Sequence, residues 1–146
     1  NEVPREDYTV PFGKVRVYQE GTDVSLVCVG LAVHQALESA ETLAGMGISA
    51  EVVDLRSLVP LDREGIIESV SKTGRLVVAD EDYHSYGVSG EVFASVIEHD
   101  ASIFKAAPQR VCVPDVSIPF SRPLENSILP LADRITAAAI KTMEGK

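Results

Sequence analysis

One stretch, residues 24–29, limits what this chain can fold into more than any other. It is almost entirely apolar and rich in β-branched side chains, which is typical of a strand covered on both faces. Gly30 ends the run, and apolar side chains then recur at helical spacing, at Val33, Leu37, Ala40 and Ala44. A buried strand that leads at once into an amphipathic helix predicts one strand–helix unit of a parallel sheet.

The same alternation continues to the end of the chain. Apolar strands are predicted at residues 50–55, 76–79 and 110–113, with a half-exposed edge strand at residues 15–18. Helices are predicted between the capping residue Asp62 and Gly74, at residues 88–99 and at residues 131–143. Crossover connections of this kind make strands parallel and place helices on both faces of the sheet. We therefore expect an α/β fold, a three-layer sandwich around a mainly parallel, mixed sheet of about five strands.

A length of 146 residues suits one domain. Residues 1–13 contain Pro4, Pro11 and Gly13 but few apolar side chains, so we expect an extended linker from an absent upstream domain. Residues 14–146 are expected to form the domain itself. The start at Asn1 shows neither a signal peptide nor an initiator Met, which agrees with a piece of a longer protein.

The net charge of −9 at pH 7 argues against two classes of partner. Nucleic acids and anionic membranes both attract clustered Lys and Arg, and the sequence contains no basic run. The apolar run at residues 26–33 is far shorter than the roughly 20 residues that span a bilayer. Cys28 and Cys112 lie inside predicted strands, so we expect buried thiols in a reducing compartment, the cytoplasm or, in a eukaryote, the mitochondrial matrix.

The segment from Pro114 to Pro130 interrupts the alternation. It contains four prolines, at positions 114, 119, 123 and 130, and we expect neither a regular helix nor a central strand there. Apolar side chains lie between the prolines: Ile118, Phe120, Leu124 and Ile128. Because a loop of this length in a compact domain is usually functional, these side chains are expected to pack on the domain or against a partner.

Three groups of residues could carry chemistry, and none forms a complete active site. The acids and imidazole of residues 80–84 could hold a cation, but no second ligand cluster is present, and a solvated or interface loop is favoured. Residues 87–90 open a helix and could cradle an anion, although tight turning explains their glycines equally. Cys28 and His34 could be a nucleophile and a base, but Cys28 is expected to point into the core. No catalytic, cofactor-binding or metal-binding residue is predicted, and a free-standing small-ligand or anion-binding sensor with its mouth at residues 80–90 remains the alternative.

Several short phrases, in order along the whole chain, resemble one family. They are Pro11-Phe12-Gly13-Lys14, Glu20-Gly21-Thr22-Asp23-Val24, the stretch from Glu51 to Leu58 with Pro60-Leu61-Asp62, Lys72-Thr73-Gly74-Arg75-Leu76, Pro114-Asp115, Pro119-Phe120 and Leu124-Glu125. Together they resemble the C-terminal domain of β subunits of the decarboxylating component of 2-oxo acid dehydrogenase complexes. That domain is of the transketolase C-terminal type.

The resemblance implies a parent enzyme that uses thiamine diphosphate and Mg²⁺, both held outside this fragment. It implies three partners: the α subunit, a second β subunit, and the subunit-binding domain of the dihydrolipoyl acyltransferase. The fragment itself is then an inactive assembly and docking domain. Residues 80–87 depart from the His-Glu pair and paired glycines of many members, so pyruvate, branched-chain and acetoin types all remain open.

The residues expected to contact partners follow from this resemblance. They lie in the segment from Pro114 to Pro130, called the proline-punctuated segment from here on, and at the C-terminus: Ile118, Phe120, Arg122, Leu124, Glu125, Glu144 and Lys146. Because subunit-binding domains of these complexes tend to be small and basic, the acidic balance of the chain would steer and orient them.

Overall fold

The computed structural model describes residues 5–144. The strands are β1 (Arg16–Gln19), β2 (Val24–Cys28), β3 (Ala50–Asp54), β4 (Leu76–Tyr83) and β5 (Gln109–Val113). The helices are α1 (Ala32–Gly45), α2 (Arg63–Thr73), α3 (Val88–Asp100), α4 (Arg122–Asn126) and α5 (Ala132–Met143), with a short 3-10 turn at Ala101–Ile103.

The five strands form one mixed sheet in the order β1-β3-β2-β4-β5. All neighbours are parallel except β1, which runs antiparallel to β3 at the edge. The central strand β2 is buried at every residue, as its unbroken apolar composition predicts. The predicted α/β fold with a mainly parallel sheet and an exposed edge strand at its start is confirmed.

Two apolar clusters lie on opposite faces of the sheet. On one face, α1 and α5 cover side chains that include Leu26 of β2, and on the other, α2 and α3 cover side chains that include Val27. Successive residues of a strand point to opposite faces, so one strand supplies both clusters. Each fully buried Val, Leu or Ile side chain stabilises the fold by about 1.5–3 kcal/mol relative to exposure. The predicted three-layer sandwich is confirmed.

Two predictions about the boundaries of the elements are wrong. Strand β4 continues beyond Ala79 to Tyr83, because after a register irregularity Tyr83 pairs with Val113 of β5. The proline-punctuated segment contains the one-turn helix α4, although no regular helix was expected there. Pro123 lies in the first turn of α4, where its missing N–H leaves no intrahelical bond unmade.

Strand β2 lies between β3 and β4. After β2 the chain continues to β3 on one side, and after β4 it continues away from β2 to β5. The carboxyl ends of β2 and β4 are therefore neighbours whose following segments diverge. A crevice at such a switch point is where open α/β sheets usually bind ligands. The fold thus identifies one position at which to look for a site.

Candidate functional site

A cavity of about 260 Å³ opens at this position, beyond the carboxyl ends of β2 and β4. We name it the switch-point cleft. Its lining comes from the start of α1, the end of β4 and the segment around α4: Leu31, Ala32, His34, Gln35, Glu81, Arg122, Asn126, Leu129, Pro130 and Leu131. Side chains of opposite charge and of amide type therefore converge on one small space.

The turn from β2 into α1 forms one wall of the switch-point cleft. Gly30 adopts a φ of +65°, which favours glycine. A Cβ atom at Gly30 would lie 3.6 Å from Oε2 of Glu81. The side-chain oxygen of Gln35 accepts a hydrogen bond from the N–H of Ala132 at 3.0 Å, which ties α1 to the start of α5. The hydrogen bond to Ala132 thus holds the side chain of Gln35 at the cleft, and the side chain of Glu81 lies against the turn at Gly30.

Arg134 stabilises the backbone of the opposite wall of the switch-point cleft, which includes Leu129. Its guanidinium donates hydrogen bonds to the carbonyl oxygens of Ile128, of Leu129 (2.7 Å) and of Cys112 (3.0 Å). These bonds join the end of the proline-punctuated segment to β5. Sequence reasoning did not single out Arg134, because nothing in the local pattern of α5 indicates that its side chain caps carbonyls of other segments.

The residues predicted to contact partners fall into two groups that lie far apart in the fold. Ile118, Phe120 and Leu124 are exposed, with Phe120 fully so and Ile118 and Leu124 at 50% and 58%. Glu125 is half-buried on α4, and Arg122 lines the switch-point cleft.

Glu144 lies at the opposite end of the strands, near the start of β4. It follows the last turn of α5, where Arg75 donates from Nε to the carbonyl oxygen of Thr142 at 3.0 Å. Arg75 directly precedes β4, so Glu144 is near the amino ends of the strands, whereas the proline-punctuated segment follows the carboxyl end of β5. Lys146 lies outside the described residues.

The prediction of a solvated or interface loop at residues 80–84 is correct for the exposure of four of the five residues and wrong for Asp80. Glu81 to His84 are exposed, but Asp80 is 4% exposed. One carboxylate oxygen of Asp80 accepts from the N–H of Asp82 at 2.9 Å, and the other has no hydrogen-bond partner among the described residues. Burial raises the pKa of Asp80 above its ordinary value. The strand-like backbone of β4 turns Asp80 inward, which the interpretation of this stretch as a loop missed.

A second, open groove of about 320 Å³ lies beside this strand end, lined by Tyr83, Ser85, Tyr86, Asp115, Val116 and Ser117. The Ser85 hydroxyl donates to Asp115 at 2.6 Å and helps hold the pKa of that carboxyl below its usual range. The groove coincides with the mouth expected at residues 80–90. Its walls are the exposed Tyr83 and Tyr86.

The glycines at the start of α3 have a packing explanation at one position. A Cβ at Gly87 would lie 2.4 Å from the carbonyl oxygen of Tyr83, so a side chain would force the backbone apart. A Cβ at Gly90 would meet nothing within 4 Å. The close approach at Gly87 supports tight turning as the reason for that glycine.

Neither cysteine is arranged for nucleophilic catalysis. Cys28 is fully buried and Cys112 nearly so, and they form no disulfide. Burial raises the pKa of both thiols, which keeps them protonated. His34 is exposed at the switch-point cleft, whereas Cys28 belongs to the apolar cluster under α1. The interpretation of Cys28 and His34 as a catalytic pair is therefore not supported.

Within residues 5–144, no group of three or more His, Cys, Asp or Glu side chains is placed to hold a metal ion. The helices of the described part of the chain are also all too short or too polar to cross a bilayer.

Comparison with known proteins agrees with this fold. Over 144 residues the chain is 47% identical to the β subunit of acetoin:2,6-dichlorophenolindophenol oxidoreductase of Cupriavidus necator, covering 99% of the chain and 43% of that protein. It is 41% identical over 138 residues to the β subunit of Bacillus subtilis 2-oxoisovalerate dehydrogenase, covering 94% and 42%. A solved structure described as a split gene transketolase, inactive beta4 tetramer, superposes with a TM-score of 0.83 at 34% identity, covering 100% of the chain and 47% of its own.

The chain thus spans less than half the length of these relatives. The family described as "Transketolase, C-terminal domain" matches residues 13–135. The match includes all five strands and ends within α5. The chain belongs to the transketolase C-terminal domain family.

Proposed function

We propose that this chain is the C-terminal assembly and docking domain of the β subunit of a thiamine-diphosphate-dependent 2-oxo acid dehydrogenase. The acetoin and 2-oxoisovalerate relatives, at 47% and 41% identity, support an enzyme that acts on acetoin or a branched-chain 2-oxo acid, and a pyruvate dehydrogenase β subunit of Bacillus subtilis, 42% identical, supports pyruvate equally. The parent protein is the enzyme, and this part contributes contacts between subunits.

One observation carries the proposal: the proline-punctuated segment presents apolar side chains to solvent. Ile118, Phe120 and Leu124 are exposed, and Arg134 binds the carbonyl oxygens of Ile128 and Leu129 at the end of the same segment. Aromatic and aliphatic side chains exposed together are typical of protein–protein contact sites.

The proposal places the reaction elsewhere in the parent. Thiamine diphosphate and Mg²⁺ are held by the α subunit and the preceding part of the β subunit, where the cofactor supplies the decarboxylation chemistry. The buried thiols of Cys28 and Cys112 offer no accessible nucleophile, which supports that division.

Three partners follow from the proposal. The apolar segment contacts the α subunit or a second β subunit, and the β4 tetramer of the structural relative supports contact between β copies. The region of Glu144 receives the basic subunit-binding domain of the dihydrolipoyl acyltransferase, which the net charge of −9 would attract. The protein then works where its complex does, in the cytoplasm or, in a eukaryote, the mitochondrial matrix.

The test is a substitution of Phe120→Ser in the complete β subunit. Phe120 is fully exposed, so its removal leaves the fold intact, and we expect weaker assembly of the enzyme, measured by sedimentation velocity over a dilution series. Truncation of a central aromatic contact commonly costs about 2 kcal/mol or more, roughly thirtyfold in the dissociation constant.

The matched control is Met46→Ser, at the far end of α1. Met46 is 56% exposed and apolar but lies near the amino ends of the strands. Assembly of the Met46→Ser variant should equal that of the wild type. If Phe120→Ser assembled as tightly as the control, the proposed contact surface would be wrong.

A further inference from the structure

We propose that the switch-point cleft binds a small organic acid that carries a hydroxyl or amino group beside its carboxylate. This ligand site goes beyond the proposed assembly role and does not depend on it. The inference combines a cavity of about 260 Å³, its position in the fold, and polar groups of Arg122, Glu81 and Gln35 that have no hydrogen-bond partner among the described residues.

The cationic side of the cleft suits a carboxylate. The guanidinium of Arg122 makes no hydrogen bond or ion pair with other residues in the range 5–144. Arg122 and Asn126 are four residues apart and both line the cleft, while the exposed Leu124 between them does not. A guanidinium presents parallel N–H groups that match the two oxygens of a carboxylate.

Gln35 supplies a second donor whose orientation is settled. Its side-chain oxygen accepts from the N–H of Ala132, so the side-chain NH₂ group is the half that remains available. That NH₂ group has no acceptor among the described residues. A half-buried amide donor at a cavity wall lowers its free energy by hydrogen bonding to a ligand oxygen.

The other side of the cleft accepts hydrogen bonds or positive charge. Glu81 lies at the end of β4, near Gly30, and its carboxylate has no partner in the described part of the chain. The exposed His34 lines the cleft beside it. A ligand with an anionic end alone would satisfy Arg122 and meet repulsion at Glu81, so the ligand must also bring a donor.

Size and surroundings restrict the ligand further. Drug-sized ligands occupy pockets of about 300–1,000 Å³, so a cavity of about 260 Å³ favours a smaller ligand and has room for a few-carbon acid. Leu129, Pro130 and Leu131 give it an apolar wall for the carbon skeleton. The net charge of −9 disfavours non-specific anion binding, so any anion retained here is held by local contacts.

The experiment follows amide NMR shifts of the 146-residue chain as glycerate is added, with propionate and glycerol in parallel. We expect glycerate to shift residues 30–35, 81 and 122–131 in a saturable way. Glycerol, which lacks the anion, should shift none of them, and propionate, which lacks a hydroxyl donor for Glu81, should bind more weakly than glycerate. Shifts spread over the surface, or binding of propionate as tight as that of glycerate, would overturn the proposal.

Two variants locate the contacts. Arg122→Gln should weaken glycerate binding about tenfold, the effect of one charge-assisted hydrogen bond, whereas Arg16→Gln removes the same charge from the edge strand β1 and should change nothing. Glu81→Gln should strengthen propionate binding and narrow the difference in affinity between glycerate and propionate. Equal glycerate affinity in Arg122→Gln and Arg16→Gln would refute the site, without bearing on subunit assembly through Phe120.

Discussion

Asp62 is a single carboxylate that joins the start of the domain to helix α2. One of its oxygens accepts the N–H of Val15 at 2.9 Å, and the other accepts the N–H of Gly65 at 3.2 Å and lies 3.4 Å from Nζ of Lys14. Burial alone would raise the pKa of Asp62, but these donors outweigh it, and the pKa lies below its ordinary value. The side chain expected only to cap a helix also secures the entry to β1.

We expect Asp62→Asn to lower the free energy of unfolding at pH 7 by about 1.5–3 kcal/mol, the range for hydrogen bonds to charged groups. Asparagine can still cap Gly65 through its oxygen, but its NH₂ group would then face the N–H of Val15, donor against donor. Urea denaturation at pH 7 measures the loss. The exposed Asp7→Asn serves as the control and should change stability by less than about 0.5 kcal/mol.

The pH dependence of the same variant follows from the lowered pKa of Asp62. A folded-state pKa below the unfolded value of about 3.9 means that the stabilisation is complete above that pH and is lost as the pH falls through the folded pKa. The stability difference between wild type and Asp62→Asn should therefore be constant from neutral pH to about 5 and narrow in more acidic solution. A difference that stayed constant down to the acid unfolding of the protein would contradict this account.

At the scale of elements, Arg134 anchors the end of the proline-punctuated segment to β5. We expect Arg134→Gln to destabilise the domain by about 2–3 kcal/mol, because the carbonyl oxygens of Ile128, Leu129 and Cys112 lose a charged donor. Amide hydrogen exchange should accelerate between residues 114 and 131 more than in β2. Arg122→Gln removes the same charge, from α4 within the segment, but breaks no hydrogen bond among the described residues, so it should leave both readouts unchanged.

The elements that could be predicted from the sequence are those set by local periodicity. The apolar run of β2, the helical spacing in α1, and the cap and stop of α2 at Asp62 and Gly74 agree with the structure. Each depends on residues within one or two turns of the chain. Local spacing is therefore enough for the layers and for the parallel sheet.

The features that could not be predicted depend on residues distant in the sequence. Strand β4 reaches Tyr83 only because β5 offers Val113 as a partner. Glu51 is 1% exposed and forms an ion pair with Lys72 of α2, which its place in an apolar strand does not indicate. The switch-point cleft likewise combines α1, β4 and α4, so its residues form no motif along the chain.

At the scale of the whole molecule, the residues expected to contact partners lie near opposite ends of the strands. The exposed apolar side chains follow the carboxyl end of β5, whereas Glu144 lies near the amino end of β4. Two partners could therefore contact the domain at the same time. The proposed role requires this, since subunit assembly and capture of the acyltransferase have to coexist.

Glu144 lies at a position where a nearby positive charge is electrostatically favourable. A carboxylate at the C-terminus of a helix faces the negative end of the helix dipole, which is locally unfavourable. A basic subunit-binding domain would relieve that repulsion and would be attracted over a longer range by the net charge of −9.

We expect calorimetry to show binding of that domain that weakens steeply as the salt concentration rises, because the screening length falls from about 10 Å at 0.1 M to about 3 Å at 1 M. Glu144→Gln should weaken binding several-fold more than Glu41→Gln, an exposed charge on α1. An affinity that did not change with salt concentration, or that fell equally in both variants, would show that Glu144 is not part of the docking surface.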